Sequence, residues 1–173
     1  MGKDMPESLS SPTPDYPFIV RTYRAADAAA CRALFVDGLI TGKLSCDDTC
    51  PDLDDVESAY LNSPDSHFWV AEDQEGIVVG MVGVLAMDRG VGEIRRLRVD
   101  PAHRRRGIGQ KLMEAAVCFC RDRGYVKIML DTFIDREPAI GLFQKFNFRH
   151  SRTRKIGEKE LLYFYLDLYQ KDE

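Results

Sequence analysis

The sequence predicts a mixed α+β (α/β) protein built on one layer of sheet with helices on both faces. Short runs rich in β-branched and aromatic residues alternate with segments of helical periodicity, which is the pattern of such a layered domain. The chain has 173 residues, of which 45% are hydrophobic and 30% are charged. This length and composition are typical of a single soluble globular domain.

The N-terminal half of the chain predicts a tail, a strand and two helices. Residues 1–17 are rich in Pro and Ser and are predicted to be a flexible tail, which leaves 18–173 as the single domain. The run "FIVRTY" at 18–23 is β-branched and aromatic, hence a strand. The Ala-rich segment 24–40 has helical periodicity. Early acids followed by spaced apolar residues predict a short helix at 52–61.

A hairpin opens the second half. Strands at 67–73 and 77–87 are joined by "DQEG", in which Gly76 can take the left-handed conformation that a tight turn needs. The segment 107–124 carries apolar residues at helical spacing and ends at a glycine, so it is predicted to be a helix. The remaining elements are predicted as strands at 92–99, 125–133, 148–156 and 159–169 and a helix at 137–147.

Charge and cysteine content exclude several classes of function. The net charge of −4 argues against non-specific nucleic-acid binding, which needs a broad positive field. No apolar run approaches the roughly 18 residues of a membrane span, and the N-terminus has no signal-peptide core, so no membrane partner is expected. Cys46 and Cys50 lack a second ligand pair for zinc, so no metal is predicted. Five cysteines without a pairing pattern favour a reducing, cytoplasmic location.

The stretch "RVDPAHRRRGIGQKL" joins a strand to the start of a helix through a basic, glycine-rich loop. The first N–H groups of a helix have no intrahelical partner, and the macrodipole makes that end positive, so anions bind there. Gly107 and Gly109 let a phosphate approach the backbone, and Arg104, Arg105 and Arg106 add charge. The alternative is a solvated basic turn. The spacing matches neither a P-loop nor a Rossmann fingerprint.

The pattern Arg104-x-x-Gly107-x-Gly109 resembles the Arg/Gln-x-x-Gly-x-Gly/Ala signature of the GCN5-related N-acetyltransferases, with the "LRVDP" strand before it and "AIGLFQKFNF" after it. The resemblance covers about residues 18–168. It implies a twisted, mostly antiparallel sheet whose strands 4 and 5 splay apart. It also implies that the loop binds the pyrophosphate of acetyl-CoA, while pantetheine pairs with the free strand edge. The cofactor-binding residues it implies are Leu97, Arg98, Val99, Arg104, Arg105, Arg106, Gly107, Ile108, Gly109, Gln110 and Phe143.

Within that superfamily, the segment "YLNSPDSHFWVAEDQEGIVVGMVGVLAMD" resembles the camello-like branch. Many animal members of the branch carry a long apolar membrane segment between the first helix and this hairpin. Here the corresponding region is only "GLITGKLSCDDTC". The chain is therefore expected to be a soluble member, either a monomer or a homodimer.

Glu93 occupies the position of the general-base glutamate of the histone-acetyltransferase branch, so the resemblance implies that it takes the proton of the attacking amine. The alternative is a surface carboxylate at a strand end. The oxyanion contact is expected from a backbone N–H around Leu97 to Arg98. Many members place a tyrosine acid where this chain has Phe143, so that role does not carry over, although Phe143 can still contact pantetheine.

The acceptor is predicted to be a small amine that carries a carboxylate. Arg95 and Arg96 lie on the strand that borders the acceptor cleft in this fold, and arginine binds carboxylates bidentately. The alternative is that they pair with local acids. A protein lysine would instead suit the aspartates of "CDDTCPDLDD". The resemblance thus implies an acetyl-CoA-dependent N-acetyltransferase acting on a small-molecule or peptide amine; the rival is a coenzyme A sensor with weak or no catalysis.

Overall fold

The structure is a computed structural model, which describes residues 16–37, 50–133 and 136–169. The strands are β1 (Phe18–Thr22), β2 (His67–Asp73), β3 (Val78–Ala86), β4 (Val91–Val99), β5 (Lys127–Phe133), β6 (Arg149–Ile156) and β7 (Lys159–Asp167). The α-helices are α1 (Ala28–Asp37), α2 (Pro51–Asp54), α3 (Ile108–Asp122) and α4 (Glu137–Lys145). Short 3₁₀ turns occupy Ala25–Asp27, Asp88–Gly90 and Pro101–His103, and a π-helical turn occupies Glu57–Leu61.

The predicted order of elements is confirmed, with two differences in detail. The helix expected at 24–40 begins as the 3₁₀ turn Ala25–Asp27 and continues as α1, and residues 38–40 lie outside the described residues. The helix expected at 52–61 is divided into α2 and the π-helical turn by Asp55, whose backbone leaves the helical region at φ −144° and ψ 76°. The Asp55 carboxylate accepts a hydrogen bond from the Ser58 N–H at 3.0 Å and so begins a new turn. Aspartate competes with helix continuation in this way wherever its short side chain can bind a nearby N–H.

The seven strands form one sheet in the order β1-β2-β3-β4-β5-β7-β6. Every neighbouring pair is antiparallel except β4 and β5, which run parallel. These two strands pair at three positions only, the last being Glu93 opposite Met129, and then separate. The predicted mixed sheet that splays between its fourth and fifth strands is therefore confirmed.

A β-bulge bends β4 just beyond the point of separation. The register passes from Gly83 opposite Arg95 to Met81 opposite Arg98, so two residues of β4 face one residue of β3. Arg96 lies inside the bulge with φ +58°, a left-handed conformation that is strained for a residue with a side chain. The bulge interrupts the regular alternation of side chains along β4.

Two apolar layers hold the helices against the sheet. On one face, α3 buries the six apolar residues that its periodicity predicts, which are Ile108, Leu112, Met113, Ala116, Val117 and Cys120. On the other face, α1, α2 and the π-helical turn pack against β2 and β3, with Phe35, Tyr60 and Phe68 fully buried. In the described part of the chain, no helix combines the length and hydropathy that crossing a membrane requires.

Candidate active site

The separation of β4 from β5 forms a cleft, and Glu93 stands at its closed end. The Glu93 side chain is mostly buried, and its Oε1 atom accepts a hydrogen bond from Arg95 Nε at 2.8 Å. Both side chains belong to the face of the sheet that carries α1 and α2, because their neighbours Gly92 and Ile94 face the α3 side. Sequence analysis predicted Glu93 as a general base, and the structure places its carboxylate beside the opening.

A second carboxylate, that of Asp131, lies across the same cleft. Asp131 follows Met129, the partner of Glu93 in the β4–β5 register, by two residues, so it shares the face of the sheet with Glu93. Desolvation by the surrounding protein and then the negative charge of Glu93 raise the pKa of Asp131. Sequence analysis missed this residue, although a single acid within the strand "KIMLDTF" is the signal that could have identified it.

The two adjacent arginines of β4 have different partners. Arg96 donates from Nε and Nη2 to the two carboxylate oxygens of Asp52 at 2.9 and 2.7 Å. The Arg96 guanidinium also lies 4.9 Å from the ring centre of Phe35. Burial alone would raise the pKa of Asp52, but hydrogen bonds from Arg96 and Tyr60 lower it. Arg95 pairs with Glu93 and is 40% exposed. Both arginines thus pair with local acids, which is the alternative that the sequence left open beside binding of the acceptor.

The predicted phosphate loop forms the start of α3. Gly107 is the N-cap residue with φ +78°, no side chain caps the helix, and its first turn contains no acidic residue. The first intrahelical hydrogen bond runs from Lys111 N–H to Gly107 O at 3.0 Å, so the N–H groups before it have no partner within the helix. A Cβ at Gly107 would meet no atom within 4 Å. Backbone conformation, and not lack of space, therefore calls for glycine here.

The arginines of this loop are exposed, and one of them is held by a residue that sequence analysis assigned to the tail. The Arg106 guanidinium lies 4.2 Å from the ring centre of Tyr16. The Tyr16 hydroxyl donates to Asp73 Oδ2 at 3.2 Å, and its ring contacts that of His103. Tyr16 thus links the segment before β1 to the loop and to the β2–β3 turn. Residues 1–15 of the predicted tail lie outside the described residues.

The remaining predicted cofactor residues divide between the cleft and the core. Leu97 and Val99 are partly buried beside the unpaired edge of β4, and Arg98 donates to the Leu97 carbonyl at 2.8 Å. Ile108 is 1% exposed, so only its backbone can meet a ligand. Phe143 is also buried and contacts aromatic rings of the core, namely those of Phe148 and Phe164. Gln110 is hydrogen-bonded to Glu114 and Lys145.

Among the described residues, no cluster of three or more His, Cys, Asp or Glu side chains could hold a metal ion. Cys46 lies outside the described residues. Cys50 is buried and accepts a hydrogen bond from Arg32 at 3.2 Å. His67 packs against the rings of Trp69 and Phe119.

Two features agree with the superfamily that the loop motif resembles. Strands β4 and β5 separate, and a basic loop leads into the start of α3 beside them. The model of the Acetyltransferase (GNAT) family matches residues 30–148. The chain is 40% identical to N-acetyltransferase 8 of Homo sapiens over 105 residues, which are 58% of this chain and 46% of that protein. It is 34% identical to the probable N-acetyltransferase camello of Xenopus tropicalis over 104 residues, 59% of this chain and 47% of that protein.

A solved structure shares the fold as well. It is that of yncA, a putative acetyltransferase from Salmonella typhimurium with its cofactor acetyl-CoA. The TM-score is 0.73 at 21% identity, with 90% of this chain and 96% of that chain covered. The chain belongs to the acetyltransferase (GNAT) family, and it resembles the camello-like branch as its hairpin segment predicts. It spans about half the length of the curated relatives it matches.

Proposed function

We propose that this protein is an acetyl-CoA-dependent N-acetyltransferase that moves an acetyl group to a primary amine by direct attack within a ternary complex. One observation carries the proposal: β4 leaves β5 directly after Glu93, and its edge, which no other described strand pairs with from there on, leads to a start of α3 that no described side chain caps. A candidate base and an anion-binding helix end are thereby joined by a free strand edge. The names of the N-acetyltransferase relatives support the same conclusion.

The start of α3 fits the pyrophosphate of acetyl-CoA. Its backbone N–H groups and helix dipole favour an anion, and the exposed Arg104 and Arg105 can neutralise phosphate charge. Pantetheine amides would pair with the edge of β4 near Leu97 and Val99 in the manner of an added strand. The bound thioester would supply the acetyl group and the leaving thiol.

Glu93 would take the proton of the attacking amine, directly or through water. Its Oε1 atom is engaged by Arg95, which fixes the side chain and leaves the base function to Oε2. In the transfer, the amine nitrogen forms a bond to the acetyl carbon and the carbon–sulfur bond breaks. Nitrogen loses two protons between ammonium and amide: Glu93 accepts the first, which frees the lone pair for attack, and the second goes to solvent, from which the thiolate takes one proton. Backbone N–H groups near the bulge at Arg96 would stabilise the oxyanion.

For the acceptor, we propose a small primary amine that carries a carboxylate. Arg95 lies at the cleft and is 40% exposed, so it is the arginine of the pair that can reach a bound acceptor, whereas Arg96 is tied to Asp52. Asp131 supplies a negative charge on the opposite wall that attracts the ammonium group. A protein lysine or N-terminus is the alternative acceptor.

A coenzyme A sensor without catalysis is the second candidate function, and Phe143 is the observation that favours it. The residue has no hydroxyl with which to protonate the leaving thiolate, and its side chain is 4% exposed within the core. A protein that binds acetyl-CoA without releasing thiol would fit this candidate. The two functions therefore differ in turnover and share the binding site.

The test combines acetyl-CoA binding by calorimetry with release of free coenzyme A thiol in the presence of an amine panel. Gly107→Glu adds bulk and negative charge at the helix start, so it should abolish acetyl-CoA binding. Gly124→Glu is the matched control, because Gly124 has φ +75° at the other end of the same helix and no atom within 4 Å of a Cβ. It carries the same backbone strain and should bind acetyl-CoA normally.

Glu93→Gln should lower kcat by about 10²-fold near neutral pH, the usual contribution of acid–base catalysis. The loss should shrink at high pH, where the amine loses its proton unaided. Equal acetyl-CoA affinity in Gly107→Glu and wild type would place the binding site elsewhere. If acetyl-CoA binds but no amine causes thiol release, the coenzyme A sensor becomes the supported function. If Glu93→Gln keeps the wild-type rate at neutral pH, Glu93 is not the general base.

A further inference from the structure

Strands β5, β7 and β6 present a side of the sheet that is much more exposed than its reverse. On this side, α1 packs against β3 and β4. Along β5, Met129 is 37% exposed, whereas Ile128 and Leu130 on the reverse side are 0% and 4% exposed. We name this surface the open face. It consists of Met129, Asp131 and Phe133 of β5, Leu161, Tyr163 and Tyr165 of β7, and Arg149, Arg152 and Arg154 of β6.

The strand register arranges these residues in three rows that cross the sheet. Side chains of directly paired residues lie on the same face, so each row begins on β5 and ends with an arginine of β6. The rows are Met129–Tyr165–Arg149, Asp131–Tyr163–Arg152 and Phe133–Leu161–Arg154. All residues of β6 are exposed, and the row that begins at Met129 starts opposite Glu93, with the Asp131 row next to it.

Cations lie over the aromatic rings of this face. The Arg152 guanidinium is 4.3 Å from the ring centre of Tyr163. Lys127 Nζ lies 5.3 Å from the ring centre of Tyr165, and Lys159 Nζ lies 5.8 Å from that of Phe133. Such contacts hold the long basic side chains against the sheet and reduce the entropy that a ligand must remove.

Charge changes sign across the open face. Glu93 and Asp131 lie at the cleft, whereas the charged side chains that β6 contributes to the face at the other end are all positive, with Ile156 beyond them. A ligand that fits both ends has an ammonium group at the cleft and carboxylates near the arginines. Neighbouring strands are about 4.8 Å apart, so the distance from β5 to β6 is about 10 Å, or roughly three residues of extended chain. This is longer than an amino-acid-sized acceptor and matches a peptide.

We propose that the open face docks an acidic polypeptide whose N-terminal amine is acetylated at the cleft, an inference that rests on the proposed acetyl transfer and favours the alternative, N-terminal acceptor over a small amine. Carboxylates three to five residues after the amine would pair with Arg149, Arg152 and Arg154. A nucleic acid fits less well, because it would meet the carboxylates of Glu93 and Asp131 at the cleft. A second copy is the other occupant, and sedimentation tests for it.

The experiment compares two peptides with the same N-terminal residue, one carrying Asp or Glu at positions 3 to 5 and one carrying Asn or Gln there. Thiol release gives kcat/KM, and fluorescence anisotropy of a labelled peptide gives affinity without turnover. The double variant Arg152→Glu with Arg154→Glu reverses charge on the open face. Lys155→Glu is the matched control. Lys155 lies on β6 like the two arginines, but it is paired with Glu160 of β7 and projects from the reverse side of the sheet.

The kcat/KM of wild type should be about tenfold higher for the acidic peptide than for the neutral one, because two or three exposed ion pairs contribute about that much. The preference should vanish in the double variant, persist in Lys155→Glu and weaken as salt is raised. Equal use of both peptides would overturn the proposal. So would a double variant that changes only the oligomeric state in sedimentation, or an open face that binds single-stranded RNA more tightly than the acidic peptide.

The anisotropy measurement separates this proposal from the proposed function. If no amine, small or peptidic, yields free thiol, acetyl transfer fails, while charge-dependent binding of the acidic peptide would still support the docking face. If small amines are acetylated but the acidic peptide neither binds nor reacts preferentially, the docking proposal alone fails. Because all of β6 is exposed, circular dichroism should show that the variants keep their fold.

Discussion

Replacement of the neighbouring residues Arg95 and Arg96 by alanine should have very different effects on stability. The Arg96 and Asp52 side chains are only 14% and 13% exposed, and they share two hydrogen bonds. Removing one partner of a fully buried pair costs about 3–5 kcal/mol. Because this pair retains some solvent, we expect Arg96→Ala to lose roughly 2–3 kcal/mol. At about 2–4 °C per kcal/mol for a chain of this size, the Tm should fall by about 4–12 °C.

Arg95→Ala is the control. Its ion pair with Glu93 is 40% exposed on the arginine side, so its removal should cost about 0–1 kcal/mol and shift the Tm by only a few degrees. Thermal unfolding followed by circular dichroism at neutral pH measures both variants. The KM for a carboxylated amine provides a second readout, which Arg95→Ala should raise while acetyl-CoA affinity stays unchanged.

Asp52→Asn should reproduce most of the Arg96→Ala loss, and the double variant should lose less than the sum of the two, because both changes remove the same contact. An Arg96→Ala protein that unfolds within about 2 °C of wild type would refute the reasoning, since that shift is below the range expected for a mostly buried pair. Arg96 would then be available to bind the acceptor, as the sequence pattern suggested.

Two further predictions concern Tyr16 and His67. Tyr16→Ala should raise the KM for acetyl-CoA several-fold without changing kcat, because Arg106 loses the ring that positions it. Tyr16→Phe keeps the ring and should retain most of the affinity for acetyl-CoA. Equal KM values for wild type and both variants would exclude this role of Tyr16. Burial and then the charge of Arg123 lower the pKa of His67 below its ordinary value of 6.5. The unfolded chain therefore binds more protons there, and stability should decline as the pH falls below about 6.5. Urea titrations should show a flatter pH profile in His67→Gln, and an unchanged profile would contradict the assignment.

Much of the fold could be predicted because its signals are local. The apolar spacing of α3 named the six side chains that it buries, and the turn at Gly76 has the left-handed φ of +81° that its position required. The break at Asp55 was not predicted, because the apolar spacing of 52–61 continues across it. It depends on one side-chain hydrogen bond to Ser58, for which periodicity gives no signal.

For the candidate site, the sequence by itself determined the loop from Arg104 to Gly109 and the place of Glu93 before it. Both are features of chain order, since a strand, a basic glycine loop and a helix must follow one another. Tertiary structure decided which groups face one another across the chain. Asp131 meets the charge of Glu93, and Tyr16 meets Arg106, across separations that no local pattern spans.

The difference between Arg95 and Arg96 shows the physical reason most clearly. In sequence they are identical neighbours, and regular alternation would send them to opposite faces of the sheet. The bulge, with Arg96 at φ +58°, brings both into the field of Asp52, and only one of them reaches it. The sequence by itself supplied the charges and the strand that bears them. Their assignment to an ion pair or to the cleft depends on a backbone distortion and on Asp52, a partner 44 residues away from Arg96 in the chain, which only the folded protein brings together.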